Sequence, residues 1–134
     1  GKSVTLRHGT IDKREIPLIP VLEAFGIFYS TPDDGKPGRV LDTLEEILSD
    51  HGCDDVAVYT IGPETLMRRA LAIAASMGVP ENRLFASLET NNMCGVGLCG
   101  ECEYGGRLSC HRGTFYSYKY LKKHYFINDG MAGK

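Results

Sequence analysis

"VAVYTIGPETLMRRALAIAASMGVPENRLFASL", residues 56–88, carries the three patterns that decide the fold. Residues 56–61 are β-branched and aromatic and read as a buried strand. Gly62-Pro63 opens a helix in which Leu66, Met67, Ala70, Leu71, Ala74 and Met77 recur on one face. Gly78 and Pro80 stop that helix, and residues 83–88 read as the next strand. Strand, helix, strand in this order implies two parallel strands joined by a right-handed crossover.

Working upstream, the same alternation repeats. Residues 3–8 alternate apolar and polar as a strand does, and Gly9 and Thr10 read as a turn. Asp12 and Glu15 have capping-box spacing ahead of Ile16, Ile19, Leu22 and Phe25, which fit one helical face. Pro17 and Pro20 crowd that helix, so a short or kinked one is expected near 13–25. Gly26 ends it, residues 27–31 read as a strand, and residues 32–38, "PDDGKPG", as a loop. Residues 39–50 place Val40, Leu41, Leu44, Ile47 and Leu48 on one face of a helix that "HGCDD" breaks. The expectation is an α/β chain: a three-layer parallel sheet over residues 1–88, helices on its faces, and a separate small lobe at 89–134. That last stretch differs in composition, being rich in glycine, cysteine and tyrosine. Ligands of such sheets sit at the carboxyl ends of the strands, where the loops at 8–10, 31–38 and 62–65 emerge. No internal repeat is visible.

The 134 residues are 43% hydrophobic with a net charge of −2, enough for one cored domain with a small appendage. No basic stripe invites nucleic acid. The longest apolar run, 16–25, holds two prolines and is far too short to span a bilayer. Residues 1–7 are polar and alternating, unlike a secretory signal. Four of the five cysteines crowd into residues 94–110, whereas a secreted framework spreads its cysteines to close loops. A cytoplasmic, thiol-keeping compartment is expected.

Those four, in "CGVGLCGECEYGGRLSC", are spaced Cys94-x4-Cys99-x2-Cys102-x7-Cys110. A zinc ribbon needs two short knuckles separated by a longer excursion, and here the x4 and x2 pairs share one turn. Three ligands on a tight loop with a fourth downstream is the plant-type [2Fe–2S] pattern. Gly95, Gly97 and Gly100 allow positive φ and bring backbone amides close to the sulfurs, which suits a negatively charged cluster. The cluster reading ranks first, a zinc site second and a disulfide staple last. Cys53 stands alone between Gly52 and Asp54 and reads as an inert thiol; His111, next to Cys110, reads as a surface or hydrogen-bonding histidine rather than a ligand.

The run "SLETNNMCGVGLCGEC" resembles the electron-transfer subunit of dihydroorotate dehydrogenase, a family related to diaphorase-type subunits of sulfhydrogenases and of NADH-dependent ferredoxin:NADP oxidoreductases. Matching positions are Ser87, Leu88, Glu89, Met93, Cys94, Gly95, Gly97, Cys99 and Cys102, with Cys110, Gly113 and Phe115 after them. "STPDDG" is similar to the family's T-x-D-D-G, at Thr31, Asp33, Asp34 and Gly35, and "YTIGPETLM" to its Y-x-C-G-P-x-x-M. The resemblance implies the distal part of a ferredoxin-reductase-like NAD-binding domain, followed by a cluster lobe. It assigns Thr31, Asp34, Gly35, Gly62, Pro63, Glu64 and Glu89 to cofactor binding, and Cys94, Cys99, Cys102 and Cys110 to the metal. It further implies FAD and NAD in the full-length subunit, a flavin-containing dehydrogenase catalytic subunit as partner, and a place in pyrimidine biosynthesis; a second copy of this chain is also an admissible partner.

The departures matter as much. Ile61 stands where the family has a cysteine, and Arg112 and Thr114 replace its Asp and Pro. The gap before Cys110 is short, although a trimmed hairpin, "EYGGRLS", can span it. The family's FAD-binding barrel and glycine-rich nucleotide loop have no counterpart here, and no G-x-G-x-x-G occurs. The chain therefore reads as a C-terminal piece of a longer subunit, with incomplete FAD and NAD sites and no catalytic acid, base or nucleophile of its own. The expected role is to relay electrons through the cluster between flavins, coupling oxidation of dihydroorotate or another substrate to NAD. The rival from another class is a zinc-stabilised interaction domain whose tail tyrosines, Tyr116, Tyr118, Tyr120 and Tyr125, form a docking surface. That tail is expected to be a helix, with Phe115, Tyr118 and Leu121 or Lys122 on one face, lying over the cluster lobe.

Overall fold

The computed structural model describes residues 4–10, 20, 24, 27–32 and 39–126. The chain divides into two compact units, Gly1–Ile47 and Leu48–Lys134. In the first, β1 (Thr5–Thr10) and β2 (Ile27–Pro32) pair in parallel, from Thr5 opposite Ile27 to Thr10 opposite Pro32. Gly9 and Thr10 continue the strand instead of turning it, because both are ladder partners of Thr31 and Pro32. A lone Gly-Thr has no side-chain device strong enough to break a ladder whose main-chain groups are all in register. Of the helix expected near 13–25 only Pro20 and Ala24 are described, and both are helical. The loop at 33–38 lies outside the described residues.

Next comes α1 (Arg39–His51), with Leu41 and Leu48 buried and Asp42 and His51 at the ends that suit the helix dipole. The second unit is built around β4. β3 (Val58–Thr60) pairs with β4 (Leu84–Ser87) in parallel, and α2 (Glu64–Ser76) crosses between them. Met67, Ala70, Leu71 and Ala74 of α2 are buried, the face read from the sequence, and α2 packs on both strands. The helix ends in a Schellman arrangement: Gly78 N donates to Ala75 O and Val79 N to Ala74 O, with Val79 buried. Residues Glu81–Arg83 form a single 3-10 turn before β4.

Two expectations fail here. The strand at 56–61 is not buried: Tyr59 is 60% and Ile61 68% exposed, and Tyr59 stacks on Phe85 at 4.8 Å and meets Phe115 edge-on at 5.3 Å. Periodicity could not separate this half-covered strand from a fully buried one, because both of its faces carry apolar side chains. Nor is the tail one helix. Phe115 belongs to β7 (Phe115–Ser117), which pairs antiparallel with the free edge of β4, and the helix, α4 (Tyr118–His124), begins only afterwards. The larger assemblies among the described strands are therefore a parallel pair, β1–β2, and a mixed three-stranded sheet, β3–β4–β7, with one further two-stranded sheet besides. Between β4 and β7 lie a two-stranded hairpin, β5 (Glu103–Tyr104) and β6 (Arg107–Leu108), and a single helical turn, α3 (Ser109–Arg112). No described helix is long and apolar enough to cross a membrane.

Candidate metal centre

The site begins where β4 ends. Residues 91–100 form no ladder, and the chain bends through Gly95, Gly97 and Gly100, whose φ values are 70, 80 and 77°. That bending turns main-chain amides toward sulfur: Leu98 N donates to Cys94 Sγ at 3.3 Å and Cys99 N at 3.5 Å. Cys94 and Cys99 are exposed, Cys110 is half-buried and Cys102 is buried.

The hairpin brings the fourth sulfur back. Gly105 and Gly106 have φ of 54 and 83°, the two positive values that a type I′ turn demands. β6 then returns beside β5, and Ser109 N bonds Cys102 O at 3.1 Å. Cys110 Sγ ends 3.4 Å from Cys102 Sγ. The seven residues between these cysteines are thus spent on one tight hairpin, as the spacing predicted.

The tyrosine-rich tail holds that hairpin in place. Tyr120 OH donates to the carbonyls of Tyr104 (2.7 Å) and Gly105 (2.6 Å), and the Arg107 guanidinium lies 4.3 Å from the Tyr120 ring centre. Tyr104 OH donates to His124 O at 3.0 Å, and the Tyr116 hydroxyl shares a buried 2.7 Å hydrogen bond with Ser109 Oγ. Ser109 precedes Cys110 directly, so the tail fixes the turn that presents the fourth thiol. Sequence reading missed this role for Tyr116 and Tyr120; their spacing of four in a run of tyrosines was the available signal.

Proximity sets the acidities. Cys94 is lowered from the ordinary thiol value of 9.0 to about 6, chiefly by the Cys99 amide, with the Val96 amide, the Cys99 thiol and the Leu98 amide adding to it. Cys102 is lowered, first by the Cys110 amide and against its own burial, while Cys110 is raised, first by its hydrogen bond to Cys102. The two neighbouring thiols are thus shifted in opposite directions. For Cys94 the sign is that of a depressed acid: its contribution to stability is complete above the unfolded thiol value and is lost as pH falls through about 6. Iodoacetamide should accordingly modify Cys94 first in the metal-free chain, its rate rising with pH to a midpoint near 6. Peptide mass mapping checks it; a midpoint at the ordinary thiol value would contradict the amide cradle.

The sulfurs fall into two neighbouring pairs, Cys94 with Cys99 and Cys102 with Cys110. Among the described residues, no three His, Cys, Asp or Glu side chains converge on one point as a single ion needs. A tetrahedral site with metal–sulfur bonds of about 2.3 Å sets ligand sulfurs roughly 3.8 Å apart. The 3.4 Å Cys102–Cys110 separation is close to one edge of such a site. Cys53 sits apart, its thiol directed at Leu48 O at 4.0 Å.

The residues expected at a nucleotide are only partly displayed. Thr31 is in β2, and Asp34 and Gly35 lie outside the described residues. Gly62, with φ 145°, and Pro63 precede α2 as expected. The Glu64 carboxylate, however, is engaged within the protein, by Arg68 Nη2 at 2.6 Å and Tyr125 OH at 2.9 Å. Glu89 is exposed, and beside it Thr90 Oγ1 is buried without a hydrogen-bond partner.

Comparison with known proteins agrees with the resemblance. No protein-family model matches the chain. A protein of Pyrococcus furiosus is 31% identical over 121 residues, covering 90% of this chain and 47% of its own length. One of Thermococcus kodakarensis is 29% identical over 115 residues (86% and 47%), and one of Methanocaldococcus jannaschii 28% over 105 (76% and 39%). All three bear the name "Probable dihydroorotate dehydrogenase B (NAD(+)), electron transfer subunit". This chain is a homologue of those electron transfer subunits. It spans about half the length of the curated relatives it matches.

Proposed function

We propose that the chain is the cluster-bearing part of an electron-transfer subunit, in which Cys94, Cys99, Cys102 and Cys110 hold one [2Fe–2S] cluster. The observation that carries this reading is the pairing of the four sulfurs on a glycine bend and a hairpin, with amides aimed at Cys94 and Cys102. When bound, the cluster supplies one-electron chemistry between flavins. The chain's own work is to favour the thiolates of Cys94 and Cys102, to hold the four sulfurs in place, to donate amide hydrogen bonds that stabilise the added negative charge, and to leave the Cys94–Cys99 edge open to an electron partner. Met93, Val96 and Leu98 surround that edge and are 75, 61 and 86% exposed, an apolar rim of the kind a protein partner covers.

The names of the relatives support NAD as the electron carrier and dihydroorotate as the substrate of the whole enzyme; a flavin in the catalytic subunit and FAD in the longer subunit follow from the sequence resemblance. On this reading residues 89–134 are the relay and residues 1–88 belong to the nucleotide half, with Thr31, Asp34, Gly35, Gly62, Pro63 and Glu64 nearest the nicotinamide dinucleotide and Glu89 near the flavin. The engagement of Glu64 with Arg68 and Tyr125 makes it a support for the start of α2 rather than a free ligand group.

Purification without oxygen tests the assignment. Brown protein with two irons and two acid-labile sulfides per chain is the expected result, from the plant-type cysteine spacing. Colourless protein with a single zinc would replace the relay by a zinc-stabilised interaction domain.

A further inference from the structure

The turn that presents Cys110 carries one more side chain against the cysteine loop. His111 follows Cys110 in α3, and its ring lies directly over the α-carbon of Gly97: a Cβ placed there would be 2.4 Å from Nε2, 2.8 Å from Cε1 and 3.2 Å from Cδ2. A side chain at Gly97 would have to displace the exposed His111 ring, and the φ of 80° at Gly97 separately disfavours one. Gly97 is half-buried, while Gly95, Val96, Leu98 and Cys99 around it are all exposed. The Gly97 amide also acts on the Cys110 thiol, lowering it against the larger rise that comes first from Cys102. Two consecutive residues of one helical turn, Cys110 and His111, therefore lie near a single glycine of the opposite loop, with the His111 ring against its α-carbon.

We propose that His111 is a positioning residue that clamps the 94–102 loop to the turn bearing Cys110, and that this clamp sets how fast a bound cluster is lost. The proposal rests on the [2Fe–2S] reading of the four cysteines. The imidazole acts by shape, as a flat ring against a bare α-carbon, and is neither ligand nor proton donor in this role. Cys102 fixes one end of the loop through Ser109 N, but residues 94–101 are exposed apart from Gly97 and without ladder hydrogen bonds, so the packing contact at Gly97 is what holds its middle.

The test uses the full chain loaded anaerobically with iron and sulfide and then challenged with an excess of iron chelator, the visible absorbance reporting cluster loss. His111→Ala should load to the same iron and sulfide content but lose the cluster about fivefold faster, the factor that roughly 1 kcal/mol of lost packing gives. It should also broaden the electron paramagnetic resonance signal of the reduced cluster. His111→Phe, which keeps a flat ring, should restore the wild-type rate. Gly97→Ala should load poorly, and adding His111→Ala to it should recover part of the loading by removing the clash. An unchanged rate in His111→Ala, or a rate in His111→Phe as fast as in His111→Ala, overturns the clamp. A wild-type chain that takes up neither iron nor sulfide overturns the cluster reading instead. The clamp is then judged on alkylation of Cys110 in the metal-free chain, faster in His111→Ala if it holds and unchanged if it does not.

Discussion

Cys102→Ser is expected to abolish the visible absorbance of the anaerobically purified chain and to reduce bound iron and sulfide to near background. Of the four thiols Cys102 is the one that is buried, and it belongs to the 3.4 Å sulfur pair. On the cluster reading its replacement removes one ligand, and it leaves Cys110 without its hydrogen-bonded sulfur neighbour. A serine hydroxyl, shorter in its bond to carbon and far less acidic than a thiol, does not restore a thiolate site. Cys53→Ser is the matched control: its thiol lies against Leu48 O, away from the loop, and the variant should load fully. Iron and sulfide analysis of both variants decides the ligand set, and a Cys102→Ser chain that retains its iron would remove Cys102 from it.

The second large effect concerns the scaffold under the site. Tyr116→Ala is expected to destabilise the metal-free chain by about 3–5 kcal/mol, the range for deleting a buried aromatic ring. Tyr116 is only 2% exposed, stacks on Tyr120 at 5.4 Å and meets Tyr104 edge-on at 6.4 Å. Since a domain of this size holds only about 5–15 kcal/mol in total, such a loss brings it close to unfolding. Tyr116→Phe should cost only about 1 kcal/mol, the worth of the hydroxyl bond to Ser109 plus the strain of leaving Ser109 Oγ unpaired. Urea denaturation followed by circular dichroism measures both. A Tyr116→Ala midpoint within experimental error of wild type would mean that the tail does not hold the hairpin.

These two effects connect the metal site to the sheet. Tyr116 sits in β7 opposite Ala86 of β4, and its hydroxyl holds the residue before Cys110. The fourth thiol is thereby referred to the central strand of the second unit; Cys102 is tied to it through Ser109 N, and the bend carrying Cys94 and Cys99 meets the same turn where His111 lies against Gly97. On the relay reading this order explains why the chain spends so many aromatic residues behind a short hairpin. Electron transfer wants a site whose geometry changes little between oxidation states, and packed rings resist displacement better than a solvated loop.

Much of this was legible from local sequence alone. The helix of residues 64–76 and the strand of residues 84–87 follow from apolar spacing and from the Gly and Pro that punctuate them, all of which act within a few residues. The cysteine bend and the Gly105–Gly106 turn were equally readable, because positive φ is a demand on a single residue that glycine meets wherever it stands. The relation to electron transfer subunits rested on the same local spacing. Tertiary structure decided what depends on residues far apart in the chain: β7 on the edge of β4, the exposure of Tyr59 and Ile61, Glu64 held by Arg68 and Tyr125, and His111 seated on Gly97. Edge pairing, burial and ring contacts are properties of two segments at once, and no pattern within either segment contains the other.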